Sequence, residues 1–78
     1  MELKRLEHVT EIANAYLESC SGTKIVLTKE QVLEICKEIS TYCQLRYGVD
    51  DSYIMEEYTP LDLGSDVYGY VMNGGIVF

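Results

Sequence analysis

The chain has 78 residues and a formal net charge of −7, and 47% of its residues are hydrophobic. This length predicts a single domain over residues 1–78 with one thin core, and the composition is typical of a folded chain rather than a disordered one. The acidity disfavours direct nucleic-acid binding, and no apolar run is long enough to span a bilayer. We therefore expect a cytoplasmic globular protein with no direct contact to nucleic acid or membrane.

Two amphipathic helices are predicted in the first two thirds of the chain. Glu2 to Cys20 places apolar residues on one face and glutamates on the other. Lys24 to Leu27 is short and β-branched, which predicts a brief strand. Thr28 and Gln31 have the spacing of a capping box, so a second helix should occupy residues 29–48 and end at its glycine. The apolar faces of the two helices are expected to meet.

The last thirty residues have a different character, with the only proline, four of the six glycines and four of the seven tyrosines. Such a composition favours short β elements. Ser52 to Tyr58 fits a strand or a short helix, and we favour the strand, whereas Thr59 to Ser65 is predicted to be a loop. Val67 to Met72 reads as a strand, and Asn73-Gly74 predicts a hairpin turn before a return strand, Gly75 to Phe78. The expected fold is α+β, with two amphipathic helices packed on a small antiparallel sheet that includes a C-terminal β-hairpin.

The side chains that most often carry catalysis or bind metal ions are few. The one histidine, His8, lies at the polar edge of the first helix. The three cysteines lack metal-site spacing, and we expect small buried thiols rather than disulfides. Residues 62–66 resemble a calcium loop only superficially, because the glycine comes too early and the terminal glutamate is missing. We predict no enzyme, no cofactor and no metal site.

Charge is distributed unevenly along the chain. Residues 1–46 carry seven acidic and six basic residues, whereas residues 47–78 carry six acidic residues and no basic one. This accumulation costs self-repulsion, so it indicates either a simple solvated surface or a docking face for a basic partner. In a docking face, carboxylates steer association and tyrosines supply rigid contact area. The candidate partner-binding residues are Asp50, Asp51, Glu56, Glu57, Tyr58, Asp62, Asp66, Tyr68 and Tyr70.

This arrangement of carboxylates with tyrosines between them resembles, at the level of class, the small acidic inhibitors encoded by phages and mobile elements, including anti-CRISPR proteins. The resemblance implies a non-enzymatic inhibitor in the host-cell cytosol. Some members of that class are similar to DNA in charge and occupy the cationic nucleic-acid channel of a bacterial defence nuclease, so the resemblance implies a basic partner such as a CRISPR-Cas effector. The alternative is a small self-associating module in which Leu45 and the exposed hairpin edge form a homodimer and the acids only keep the protein soluble.

Overall fold

The computed structural model describes residues 1–22 and 24–74. Across those residues the elements are α1 (Leu3–Ser21), α2 (Lys29–Tyr47), a π-helical segment (Tyr53–Glu57) and α3 (Pro60–Met72). The same residues contain no β-strand, so the predicted α+β class is wrong and the fold is all-α. No helix in this part of the chain has the length and apolar character needed to cross a lipid bilayer.

The first two helices confirm the sequence prediction. The Thr28 hydroxyl accepts a hydrogen bond from the Gln31 N–H at 3.2 Å, and the Gln31 side chain accepts one from the Thr28 N–H at 2.9 Å. This reciprocal capping box satisfies two of the backbone donors that a helix start leaves free. Helix α2 ends at Gly48, whose φ of 67° is the left-handed conformation that glycine adopts without strain.

The predicted strand from Lys24 to Leu27 is not formed. The segment connects α1 to α2, and its backbone is held by a side chain instead of a second strand. The Asn14 amide donates to the Leu27 carbonyl at 3.1 Å and accepts from the Leu27 N–H at 2.8 Å. Ile25 and Val26 are exposed. Their β-branched side chains favour an extended backbone, but the connection pairs with no strand within the described residues.

Residues 52–72 are helical where strands and a loop were predicted. Ser52 to Tyr58 contains the π-helical segment, so the short-helix alternative describes it better than the favoured strand. Thr59 caps α3 by accepting from the Asp62 N–H at 3.2 Å, and Pro60 occupies the first turn, where its missing N–H costs nothing. These two signals begin a helix within the segment that we predicted to be a loop.

Helix α3 also replaces the predicted strand from Val67 to Met72. Leu63 and Val67 are one turn apart and both are fully buried in the core. Burial of this helical face outweighs the β preference of the valine and tyrosine residues. Asn73 and Gly74 form a turn that ends the helix, so the hairpin turn is wrong too. The predicted return strand, Gly75 to Phe78, lies outside the described residues.

The core lies between the three helices and the π-helical segment. Helix α1 packs more extensively on α3 than on α2, so the two predicted apolar faces meet less than expected. Gly64 of α3 lies directly against Ile12 of α1. The buried apolar residues are Leu6, Val9, Ala13, Leu17, Leu27, Val32, Cys36, Ile39, Ile54, Met55, Leu63 and Val67.

Candidate functional site

The six carboxylates of the acidic half lie on consecutive elements. Asp50 and Asp51 follow α2, Glu56 and Glu57 lie on the π-helical segment, and Asp62 and Asp66 lie on the first two turns of α3. Within residues 1–22 and 24–74 none of them forms a salt bridge with a lysine or arginine; the ion pair found there joins Lys37 and Glu34 at 3.6 Å. The negative charge of this region is therefore not neutralised by ion pairing in the described structure.

Two of these carboxylates accept hydrogen bonds from neutral hydroxyl groups, and a third interacts with one. The buried Ser40 hydroxyl donates to Asp51 at 2.5 Å, and the Thr59 hydroxyl donates to Asp62 at 2.8 Å. The Tyr58 hydroxyl interacts with Asp66. These bonds fix the orientation of the carboxylates without removing their charge. The remaining three acids, Asp50, Glu56 and Glu57, are exposed.

One basic residue does reach this region, but it contacts backbone carbonyls. Arg5 extends from α1 and donates to the Ile54 carbonyl at 2.8 Å and to the Tyr58 carbonyl. The guanidinium thus covers the C-terminal end of the π-helical segment, where carbonyl groups lack helical partners. Arg5 fixes the acidic region to α1 and leaves the carboxylates available to a partner.

A cleft of about 410 Å³ opens between α2, the π-helical segment and α3. We call it the tyrosine cleft, because four tyrosine rings line it; among the residues that the structure describes, Asp66 contributes its only carboxylate. The Tyr42 and Tyr47 rings meet edge to face with centroids 6.3 Å apart, and the Tyr53 and Tyr58 rings are tilted at 5.6 Å. The other lining residues are Ile39, Cys43, Val49 and Ile54.

The electrostatics of the tyrosine cleft are dominated by burial without a counter-ion. Burial raises the pKa of the Asp66 carboxyl, the hydrogen bond from Tyr58 lowers it, and the nearby Asp62 raises it again. Burial, and then the Asp66 charge, raise the pKa of Tyr58 to about 12. Burial and Asp66 also raise the pKa of the Cys43 thiol. Each shift indicates that negative charge in this cleft is poorly solvated.

The cysteines differ from one another in exposure. Cys36 is buried, and burial raises the pKa of its thiol to about 12, so the nucleophilic thiolate is suppressed. Cys43 is partly buried, whereas Cys20 is exposed, which corrects the expectation of three buried thiols. No group of three or more histidine, cysteine, aspartate or glutamate side chains in the described part of the chain is placed to hold a metal ion.

The structure brings together only some of the nine candidate residues. Tyr58 and Asp66 line the tyrosine cleft, and Asp62 is near enough to influence both. Tyr68 instead packs against Tyr16 of α1, with ring centroids 5.7 Å apart, and the Tyr70 hydroxyl donates to Glu38 of α2. These last two tyrosines therefore join helices to one another and do not line the cleft.

Three of the four tyrosines that line the cleft were missing from the candidates: Tyr42, Tyr47 and Tyr53. The sequence carried one signal for them, since Tyr42 and Tyr47 are five residues apart, as are Tyr53 and Tyr58. A spacing of five does not place side chains on one face of an α-helix, and Tyr42 and Tyr47 lie on the α-helix α2, so their shared lining of the cleft follows only from the structure. For Tyr53 and Tyr58 the spacing indicates a shared surface only once the π-helical geometry is known.

No protein-family model, curated protein or solved structure matches the chain.

Proposed function

We propose that this protein is a non-enzymatic inhibitor that binds a basic protein surface through its acidic region, residues 50–66. The partner we favour is a nucleic-acid-binding effector such as a CRISPR-Cas complex, and the compartment is the cytosol of the host cell. The class resemblance of the sequence supports the choice of effector. The acidic region and the tyrosine cleft support a binding role.

The observation that carries the proposal is that the six carboxylates form no ion pair within the part of the chain that the structure describes. Residues 47–78 contain no lysine or arginine, and the arginine that reaches them from α1 binds carbonyl groups. Like charges repel one another at physiological salt when they lie within a Debye length of about 8 Å, and Asp62 is near enough to Asp66 to raise the pKa of its carboxyl. A basic partner would relieve that repulsion on binding, and its association would be accelerated by the same field.

A protein surface that binds nucleic acid offers the complementary charge. Such surfaces are rich in lysine and arginine because they neutralise phosphates. A carboxylate surface that occupies this region would exclude nucleic acid by competing for the same cations. Inhibition in this mechanism requires no bond to be made or broken by the inhibitor.

The alternative of self-association is favoured by one observation, the exposure of Leu45, whose side chain is 85% accessible. The alternative also needed an exposed hairpin edge, and this edge does not exist because Val67 to Met72 is helical. A dimer seen by light scattering at micromolar concentration would favour this alternative, and a monomer would reject it.

The proposal is tested by capture from a bacterial lysate at roughly 50 mM and 500 mM salt, which span strong and weak screening. We expect basic, nucleic-acid-binding proteins to be retained at low salt and released at high salt, and added DNA to displace them. The double variant Asp50→Lys/Glu57→Lys should lose this capture. The control Glu7→Lys/Glu18→Lys makes the same charge change on exposed positions of α1 and should retain it.

Equal capture by both double variants would contradict the proposal, because net charge rather than the acidic region would then govern binding. Capture that survives high salt and is indifferent to DNA would contradict it as well.

A further inference from the structure

The tyrosine cleft combines apolar walls with a single carboxylate, an arrangement that a flat acidic docking surface does not require. Its walls are aromatic rings and buried aliphatic side chains, and a single half-buried carboxylate, Asp66, lies among them. Burying a charge without a partner is costly, and native structures usually compensate it with an opposite charge. Within the described chain the cleft supplies only the Tyr58 hydroxyl to Asp66. Among the described residues that line the cleft there is no lysine or arginine to supply the opposite charge.

We propose that the tyrosine cleft receives an arginine side chain of the basic partner. This inference rests on the proposed function and identifies the group that would anchor it. The carboxylate would pair with the guanidinium, and the rings of Tyr53 and Tyr58 would pack against its plane.

An arginine fits this chemistry better than the other common side chains. The guanidinium is planar and weakly hydrated, so it stacks on aromatic rings while it donates hydrogen bonds to a carboxylate. A lysine ammonium is more strongly hydrated and lacks the planar shape. An acidic group would be repelled by Asp66 and Asp62, and an apolar group would bury Asp66 without compensation.

The size of the cleft agrees with a side chain as occupant. Its volume of about 410 Å³ falls at the small end of the range of ligand sites, which are concave and largely apolar with a few polar groups. Helix-sized occupants need an extended groove with several apolar anchor positions. The cleft instead has one charged side chain, Asp66, with four tyrosine rings around it.

The test uses the intact protein and three short peptides, acetyl-Gly-Arg-Gly-amide, its citrulline analogue and its lysine analogue. Citrulline has the shape of arginine without the charge. Binding is followed by chemical shifts in heteronuclear NMR spectra. We expect the arginine peptide to shift the resonances of Val49, Tyr53 and Tyr58, the lysine peptide to bind more weakly, and the citrulline peptide to produce no shifts at the same concentration.

Two variants that remove one negative charge each give the matched comparison. Asp66→Asn preserves the size of the side chain in the cleft and should weaken arginine-peptide binding about tenfold or more, the effect expected for losing a hydrogen bond to a charged group. Glu18→Gln removes an exposed charge of α1 that does not line the cleft and should change the affinity less than about twofold. Unchanged helical circular dichroism in both variants confirms that they fold.

Equal binding of the arginine and citrulline peptides would overturn the inference, because shape rather than charge would then be recognised. Tighter binding of the lysine peptide, shifts confined to residues outside the cleft, or equal affinities of Asp66→Asn and Glu18→Gln would overturn it too. These outcomes are separable from the proposed function: a protein that captures basic partners but binds no arginine peptide in the cleft retains the acidic docking region and loses only this anchor.

Discussion

Arg5 shows how a single side chain determines the position of the acidic region. Its guanidinium donates to two carbonyl groups, those of Ile54 and Tyr58, about fifty residues further along the chain. Its Nε is buried and has no hydrogen-bond partner among the described residues. Arg5 therefore holds the π-helical segment, which forms one wall of the tyrosine cleft, although one of its own donors is left unsatisfied.

The substitution Arg5→Lys should destabilise the protein by about 1–3 kcal/mol, since lysine cannot replace the two-carbonyl contact and would leave acceptors unpaired. The matched change Arg46→Lys alters an exposed arginine in the last turn of α2 and should change the free energy of unfolding by less than about 0.5 kcal/mol. Chemical denaturation of both variants measures the difference. Equal unfolding free energies would show that the contact to the π-helical segment contributes nothing to stability.

At the residue scale, part of the candidate site could be predicted. The absence of bases after Arg46 is a property of the sequence, and the structure leaves the carboxylates of that region without ion pairs in the described residues. The roles of individual tyrosines could not be predicted. Tyr68 and Tyr70 bind to residues of α1 and α2, which are distant in sequence, and such contacts follow only from the packing of α3.

At the scale of elements, helix starts were predictable where the capping signal agreed with the composition. Thr28 and Gln31 predicted α2 correctly because an amphipathic pattern follows them. Thr59, Pro60 and Asp62 form an equally good start for α3, but two glycines and several β-preferring residues follow, so their signal was outweighed. Packing of α3 on α1 compensates for that poor helix propensity, and a single sequence does not reveal this packing.

The two glycines of α3 provide a matched pair that tests this packing. A Cβ added at Gly64 would lie 2.4 Å from Ile12 Cγ2 and 2.7 Å from Ile12 Cβ, whereas one added at Gly69 would have no neighbour within 4 Å. Gly64→Ala should therefore destabilise the protein by about 1–3 kcal/mol through overpacking. Gly69→Ala should stabilise it by about 0.5–1 kcal/mol, because alanine is the better helix former.

Thermal or denaturant unfolding of the two alanine variants gives both values. Two changes of the same sign and size would mean that α3 does not pack closely on α1 at Gly64. A loss of stability in Gly69→Ala would argue for an extended backbone at that position, as the original strand prediction required.

At the scale of the whole molecule, the acidic region extends from the end of α2 through the π-helical segment into α3. The tyrosine cleft lies between these three elements. Helix α2 contributes Tyr42 and Tyr47, the π-helical segment contributes Tyr53, and Tyr58 and Asp66 follow it. The core holds these elements together, and Arg5 ties them to α1. The arginine anchor depends on this arrangement, because a chain with the predicted sheet would have no such cleft.

The contact between Tyr58 and Asp66 reports on the cleft directly. The folded protein holds the Tyr58 proton more tightly than an unfolded chain does, since its pKa is raised from the ordinary 10.0 to about 12. Tyr58 therefore contributes stability that is fully present below pH 10.0 and is lost as the pH rises through about 12. Burial is the largest cause of the raised pKa, followed by Asp66, with Asp62 and Tyr53 adding to it.

The most direct test of the account is the pKa of Tyr58, measured by NMR from its ring carbon resonances in wild-type protein and in Asp66→Asn, with Tyr58→Phe to assign the signal. We predict a wild-type value near 12, and in Asp66→Asn a lower value that stays above 10.0 because the burial remains. Asp50→Asn, an exposed control with the same charge change, should leave the pKa unchanged. A wild-type value near 10.0, or equal values in wild type and Asp66→Asn, would contradict the tyrosine cleft and the account built on it.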